Sequence, residues 1–458
     1  MGDEDLTRRH VIYGSAGMAA AGMIPGARAK GKKDPQYNPA TDLESETDPE
    51  ISEAPLTKKV IESSSEVDVP KAEETSESSE SDGKEEIVEW QGLRAALLGH
   101  SGAGNFGHGL DRVFTRLDGV RLMAVSDEDD ESVDEALART GAPSGFSSYQ
   151  QLFENEQPDL VAVCPRWTEE RFAMVEASLI AGAHVYCEKP FTRTLKEADE
   201  LLELASQNQL QIAVAHQMRC DPHLKRFHKE CRDLIGDLLE MRVYGKMDQR
   251  VGGEDMLVLG THLFDIVRWF AGDAQYCTAK ITVDGEPALA EDAHESEREK
   301  IGPLLGDSIR AEFVMDSDVH VTFISDKRYK GITGHWGIDF VGSKTTMRLY
   351  ANHPPFLTLR ETVDPTDPDR EDVWRQWPEV AGEYHPPFEK LTGMDAANRR
   401  VLKDLLESIE ENRTPEASGY DAMKALEMIH GVWQAGITMK RAYFPLVNRL
   451  HPLSEESR

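Results

Sequence analysis

The stretch Leu93-Arg94-Ala95-Ala96-Leu97-Leu98, followed by Gly99-His100-Ser101-Gly102-Ala103-Gly104-Asn105-Phe106-Gly107-His108-Gly109, decides the fold. A short apolar run without alternation is the pattern of a parallel strand covered on both faces. The glycines that close it read in two registers. Gly102, Gly104 and Gly107 fit G-x-G-x-x-G, whereas Gly99, Ser101 and Gly104 place the first glycine directly behind the strand. In either register the loop turns tightly and lets backbone approach a pyrophosphate, with the N–H groups of a following helix aimed at the anion. Gly99, Ser101, Gly102, Gly104, Asn105 and Gly107 are therefore candidate cofactor contacts. A glycine-rich turn is common on its own, so its surroundings must decide.

Working outward, a second apolar run over 120–125 stops at Ser126-Asp127, about 20 residues past the glycines. Asp127 can accept both ribose hydroxyls of NAD and would repel a 2′-phosphate, which favours NAD and leaves NADP open. Glu128, Asp129 and Asp130 beside it suit a solvated acidic turn equally well. Helical patterns over 132–140, 149–155 and 169–181 then alternate with strands over 160–163 and 184–187. That alternation predicts an α/β fold, a Rossmann doubly wound parallel sheet occupying 90–218.

The last of these strands runs into Glu188-Lys189-Pro190. The stretch Gly182-Ala183-His184-Val185-Tyr186-Cys187-Glu188-Lys189-Pro190 closely resembles the signature of the glucose–fructose oxidoreductase and inositol dehydrogenase family, Gfo/Idh/MocA. The similarity runs from Leu93 to about Tyr443 and takes in Gln217, Arg219 and Pro222, the segments 309–314 and 339–343, and closing helices over 395–412 and 420–435. The resemblance implies hydride transfer between a nicotinamide cofactor and a sugar, cyclitol or glycoside hydroxyl. It implies Lys189 beside nicotinamide and substrate, Glu188 in contact with the cofactor, and Gln217 and Arg219 toward the substrate. It also supplies a histidine base, here His262, followed by Asp265, Arg268 and Trp269.

One departure bears directly on the chemistry. A lysine in a dry cleft can polarise a hydroxyl and a histidine can take its proton. The family's aspartate four residues before the histidine is Val258 in this chain. Valine neither orients an imidazole nor stabilises its protonated form. Either Asp255 reaches in from one turn earlier, or His262 works alone, or the chemistry is not simple alcohol oxidation. Lys189, His262 and Asp255 are thus the candidate catalytic residues. In the turn 164–168, Pro165 is kept, while Arg166 replaces a small polar residue and Glu169 stands where a histidine is common. Pro165, Arg166 and Trp167 are candidates to line the cofactor or substrate pocket; a plain loop fits Arg166 and Trp167 as well.

The remainder, 219–445, alternates in short segments over 239–244, 275–283, 309–315, 319–325, 337–341 and 346–349. These suit a C-terminal α+β domain with an open, largely antiparallel sheet, one face against helices and one free to form a homo-oligomer. Residues 286–306 read as an exposed loop and 446–458 as a tail. A net charge of −32 argues against sequence-independent binding to nucleic acid or anionic lipid. Five cysteines without a C-x-x-C pair exclude the usual thiolate zinc site. His216, His223 and His228 lack ligand spacing, and no metal is expected. No run of about 18 apolar residues occurs, so no membrane span is predicted.

Thr7-Arg8-Arg9, a mild apolar stretch and Ala27-Arg28-Ala29 resemble a twin-arginine export signal over 1–29. Residues 30–89, rich in Ser, Glu and Asp with Tyr37 as the single aromatic, predict a disordered acidic linker. Together they predict a periplasmic enzyme with a tightly bound, recycling cofactor. Oxidation followed by elimination at a glycosidic bond, or a non-catalytic member that binds nucleotide or sugar, are the alternatives.

Overall fold

The computed structural model describes residues 92–455 except 116, 297–299, 333–334, 362–372 and 379–392, and these fall in one compact unit, Glu86–Arg458. The signal-like segment and acidic linker expected over 1–89 lie outside the described residues.

The first sheet holds β1 (Leu93–Leu98), β2 (Val120–Ser126), β3 (Ser144–Phe146), β4 (Leu160–Val163), β5 (His184–Cys187) and β6 (Ile212–Val214), all parallel, in the order β3-β2-β1-β4-β5-β6. The connecting helices are α1 (Asp130–Thr140), α2 (Tyr149–Asn155), α3 (Arg171–Ile180) and α4 (Leu195–Gln207). Their starts follow from local chemistry: Asp129 accepts the Ser132 amide, and Thr194 forms a reciprocal capping box with Glu197. Strand order reverses between β1 and β4, which opens a crevice at their carboxyl ends, where dinucleotides bind in this architecture.

The glycine loop departs from expectation. Among the described residues no α-helix follows it before β2; the chain makes successive turns that include a three-residue 3-10 helix, Leu110–Arg112. Gly102, Asn105, Gly104, Gly107 and Gly109 all hold positive φ, between 52° and 91°, which a right-handed helix cannot include. That face of the sheet is covered from elsewhere. Leu110, Val113 and Phe114 share one core with Ala95 and Leu97, joined by Val401, Leu402 and Leu405 from far down the chain.

The second half begins with α5 (Pro222–Ile235), capped by Asp221 with proline at its first turn. There follow β7 (Leu238–Tyr244), α6 (Gly252–Val258), α7 (Gly260–Ala271), β8 (Ala274–Val283), β9 (Glu286–Pro287), β10 (His294–Glu295), β11 (Pro303–Leu304), β12 (Ser308–Met315), β13 (His320–Asp326), β14 (Gly337–Gly342), β15 (Thr346–Tyr350), β16 (Phe356–Arg360), β17 (Trp374–Trp377), α8 (Gly393–Glu411), α9 (Gly419–Thr438) and β18 (Ala442–Tyr443). The large sheet runs β17-β16-β15-β14-β7-β13-β12-β8-β18 and is antiparallel except where β7 lies parallel to β13. The expected largely antiparallel sheet is therefore present, with β16 to β18 added at its edges. The span 286–306 carries β9 to β11 rather than loop alone.

Two segments return to pack where sequence alone did not place them. Helix α8 supplies Val401, Leu402 and Leu405 to the first sheet's core, so the region read as a second domain lends one helix to the first. The expected tail is docked: Leu446 and Leu453 are buried, and Arg449 pairs with Asp199 at 2.6 Å and Glu427 at 2.5 Å. Among the described residues, no helix is long and apolar enough to cross a membrane.

Candidate active site

Strand β5 delivers Glu188 and Lys189 to the crevice. Glu188 is fully buried, and its carboxylate accepts the His108 amide at 2.9 Å, contacts His108 Nδ1 at 2.7 Å, and accepts the Lys189 amide at 2.9 Å. Burial would raise its pKa, but His108 and the Lys189 cation outweigh it and hold the carboxyl at about 2. The residue expected to touch the cofactor thus ties the glycine loop to the end of β5.

Lys189 is 7% exposed and its ammonium donates to the Val258 carbonyl at 3.1 Å. Helix α6 ends at Val258 and α7 begins at Gly260, with Leu259 between them out of helical register. The break leaves that carbonyl free for the lysine. Valine at 258 therefore still serves Lys189, through its backbone.

His262, on α7, is 5% exposed, with its ring edge-on to His216 at 5.3 Å and to Trp336 at 6.4 Å between centroids. Burial, then His216 and Lys189, keep its pKa well below the ordinary histidine value, so the ring is neutral. Its Nδ1 is buried with no hydrogen-bond partner. Asp255 does not supply one. Its carboxylate accepts from the Ser325 hydroxyl at 2.6 Å and the amides of Lys246 and Met247 at 3.1 and 3.2 Å. Lying in the first turn of short α6, it faces the ends of β7 and β13, and burial raises its pKa to about 6.

Arg219 and Asp265 form a buried pair at 2.9 Å, extended by Asp421 at 3.0 Å from Arg219. Burial opposes ionisation of Asp265, but Arg219 and His216 hold it below the usual carboxylate range. His216 Nδ1 lies 3.7 Å from Asp265, and its Nε2 lies 3.1 Å from the Thr261 hydroxyl. Arg219, expected toward substrate, is thus spent on carboxylates. Gln217 donates to Asn398 at 2.8 Å, and its side-chain oxygen is buried without a partner.

Asn398 and Arg171 brace the candidate site through hydrogen bonds, and sequence reasoning missed both. Asn398, on α8, accepts Tyr186 Oη–H at 3.1 Å as well as Gln217, and donates to the His108 carbonyl at 2.9 Å. Arg171, at the start of α3, donates to the carbonyls of Glu188, Pro165 and Pro190, locking the β4–α3 turn against the Glu188-Lys189-Pro190 turn. An arginine in the first turn of a helix, against the dipole preference, was the one available signal for it.

The glycine loop and the β4–α3 turn enclose a cleft of about 240 Å³ lined by Ser101, Gly102, Pro165 and Trp167 among others. Added side chains would close the arrangement. A Cβ on Gly104 would stand 2.5 Å from the Arg166 amide nitrogen, and one on Gly107 would stand 2.4 Å from the Cys164 carbonyl. Gly102, by contrast, faces open space. The Trp167 amide donates to Ala103 at 3.3 Å, joining the two walls. Asn105 bends the loop at φ 52° and accepts the Gly102 amide at 3.1 Å, an internal contact. A side-chain-free approach at Gly102, beside a switch-point crevice, fits a dinucleotide. Among the described residues, His100, Glu128 and Glu170 are the one grouping that could hold a metal ion.

Comparison with known proteins agrees. Residues 96–216 match the oxidoreductase family, NAD-binding Rossmann fold, and residues 243–439 match the oxidoreductase family, C-terminal alpha/beta domain. A D-apiose dehydrogenase of Paraburkholderia graminis is 24% identical over 74% of this chain and 87% of its own length. A myo-inositol 2-dehydrogenase of Thermotoga maritima is 25% identical over 45% of this chain and 66% of its own. The solved levoglucosan dehydrogenase, in complex with NADH and levoglucosan, superposes with a TM-score of 0.61 at 16% identity, covering 78% of this chain and 100% of that one. The chain belongs to the Gfo/Idh/MocA oxidoreductase family, an NAD-binding Rossmann domain joined to the family's C-terminal alpha/beta domain.

Proposed function

We propose that the protein interconverts a hydroxyl of a sugar or cyclitol and the corresponding carbonyl, hydride passing to NAD or back from NADH, and that it does so after export, with its cofactor retained. The observation that carries this reading is Lys189, buried, held by the Val258 carbonyl and set beside neutral His262. NAD, when bound, supplies the hydride acceptor. The loop from Gly99 to Gly107, the β4–α3 turn and Glu188 shape its seat. Lys189, released from or shared with the Val258 carbonyl, donates a hydrogen bond to the substrate hydroxyl and stabilises the developing alkoxide. His262, neutral and with Nδ1 unpartnered, accepts the hydroxyl proton. Burial excludes water from both groups and strengthens each of these interactions.

The names of relatives that act on apiose and inositol support a polyhydroxylated substrate. Thr7-Arg8-Arg9 and the acidic segment behind it support export of the folded, loaded enzyme. The test is release of nucleotide from denatured purified protein, followed by a panel of aldoses and cyclitols read at the reduced-nicotinamide absorbance band. Retained NAD and turnover of at least one polyol support the reading; no binding of added NAD would overturn it. Fusing residues 1–29 to a reporter carried only by the twin-arginine route tests export, and a cytoplasmic reporter would refute it.

A further inference from the structure

The turns that stand in place of a helix behind the glycine loop border a cavity of about 500 Å³. Its walls come from three places: the chain over 109–115, the end of α1 and the start of α8. Each wall contributes one arginine, Arg112, Arg139 and Arg399, and Asp395 is the one acid among the lining residues. The whole chain carries 83 acidic residues against 51 lysines and arginines, so the balance at this cavity runs opposite to the rest of the molecule.

The guanidiniums keep donors in hand. Arg139 meets the buried Asp111 through Nε and lies over the Phe106 ring at 5.2 Å, and its terminal nitrogens make no hydrogen bond among the described residues. Arg112 approaches Asp395 to 2.9 Å, yet Asp395 Oδ1 is buried without a hydrogen bond. Arg399 donates through one terminal nitrogen to the carbonyls of Arg112 and Thr115 and to the Thr115 hydroxyl. Three arginines against Asp111 and Asp395 leave one positive charge over. A guanidinium offers five N–H donors in a planar fork that meets phosphate oxygens two at a time.

The cavity also adjoins the tether of the glycine loop. Gly109 lines it at φ 79°, and a Cβ there would stand 3.1 Å from an Arg112 terminal nitrogen and 3.2 Å from Asp395 Oδ1. His108, one residue earlier, gives its amide to Glu188, and its carbonyl accepts from Asn398, the neighbour of Arg399. A ligand that orders Arg112 and Arg399 therefore acts on both ends of that tether.

We propose that this cavity is a second ligand site, for a small phosphate-bearing molecule held by Arg112, Arg139 and Arg399, and that its occupancy stiffens the glycine loop and strengthens NAD(H) binding. Bidentate guanidinium–phosphate pairs supply the affinity. Asp395 Oδ1 accepts from a hydroxyl of the same ligand, and the volume lies within the range of small-molecule sites.

Calorimetric titration of the full chain tests this, with inorganic phosphate and glycerol 3-phosphate as probes and saturating NADH present to fill the cofactor cleft. Both probes are expected to bind, one per chain. Arg112→Gln and Arg139→Gln should each weaken them by about tenfold to a hundredfold, the loss of a charge-assisted hydrogen bond. Arg112, its side chain 53% exposed, keeps the test open if Arg139→Gln, which strands Asp111, does not fold. In the reverse titration, saturating glycerol 3-phosphate should raise NADH affinity about fivefold or more in the wild type and leave it unchanged in Arg112→Gln. Probe binding that is absent at millimolar concentration, that NADH abolishes, or that the variants keep at wild-type strength overturns the site. Binding of inorganic phosphate alone overturns the phosphorylated ligand, and an NADH affinity that the probe leaves unmoved overturns the coupling.

Discussion

The Lys189 ammonium donates to the carbonyl oxygen of Val258, 3.1 Å away, at the break between α6 and α7. The last carbonyls of a helix lack intrahelical donors and carry its partial negative charge, so a cation is favoured there. A backbone group thus holds the lysine at the position where the family places an aspartate. Replacing Lys189 with Met should lower kcat by about a hundredfold or more while NAD still binds, because the cation that stabilises the developing alkoxide is removed and the cofactor cleft is left standing. Steady-state kinetics beside calorimetry separate the two effects.

Asp255 is given to architecture by the same geometry. Its folded pKa, raised to about 6 by burial, exceeds the ordinary 3.8, so the folded state holds a proton the unfolded chain has released. Stability from this group is therefore lost as pH rises from about 4 to about 6. Asp255→Asn should abolish that dependence and leave kcat within about threefold, since no catalytic proton passes through it. A loss of kcat like that of Lys189→Met would restore Asp255 to the reaction.

Glu188 has the opposite sign. Its folded pKa of about 2 lies below the ordinary 4.5, so its contribution is present above 4.5 and lost as pH falls toward 2. The difference corresponds to roughly 3 kcal/mol at neutral pH. Denaturant melts across that acidic window should show the wild type losing its advantage over Glu188→Gln. Equal slopes for the two proteins would contradict the His108–Glu188 tether.

Asn398 ties α8 to the glycine loop through the His108 carbonyl, and to Tyr186 and Gln217 through two further hydrogen bonds. Asn398→Ala strands buried polar groups of Tyr186, Gln217 and His108 and should cost about 1–3 kcal/mol of stability. NADH affinity should fall about tenfold, because the loop loses its anchor. Asn398→Asp, which keeps the acceptor but not the donor to His108, should recover part of the stability and little of the affinity.

Repeating apolar segments made the strands legible. Leu160–Val163 is buried from end to end and His184–Cys187 from Val185 onward, and periodicity finds them without tertiary knowledge. The glycine loop was legible as a loop, but its five positive-φ residues and the absence of a helix were not, because glycine permits either outcome. Asp127 stood at the right distance from the glycines, yet spacing cannot reveal that Ser101 and Asp129 would claim its oxygens. Asp255 does not reach His262 for a related reason: spacing cannot reveal that Ser325 on β13 and the Lys246 and Met247 amides would claim its oxygens. Asn398 and Tyr186 meet across 212 residues, a contact no local pattern carries.

The most direct measurement of the central claim is hydride transfer itself. The purified full chain with NAD is mixed with a panel of aldoses and cyclitols, and the reduced-nicotinamide band is followed for wild type and Lys189→Met. The structure predicts that at least one polyol raises the band in the wild type and that the variant suppresses the rise about a hundredfold. A protein that binds NAD and turns over its substrate equally well with methionine at position 189 would contradict the account.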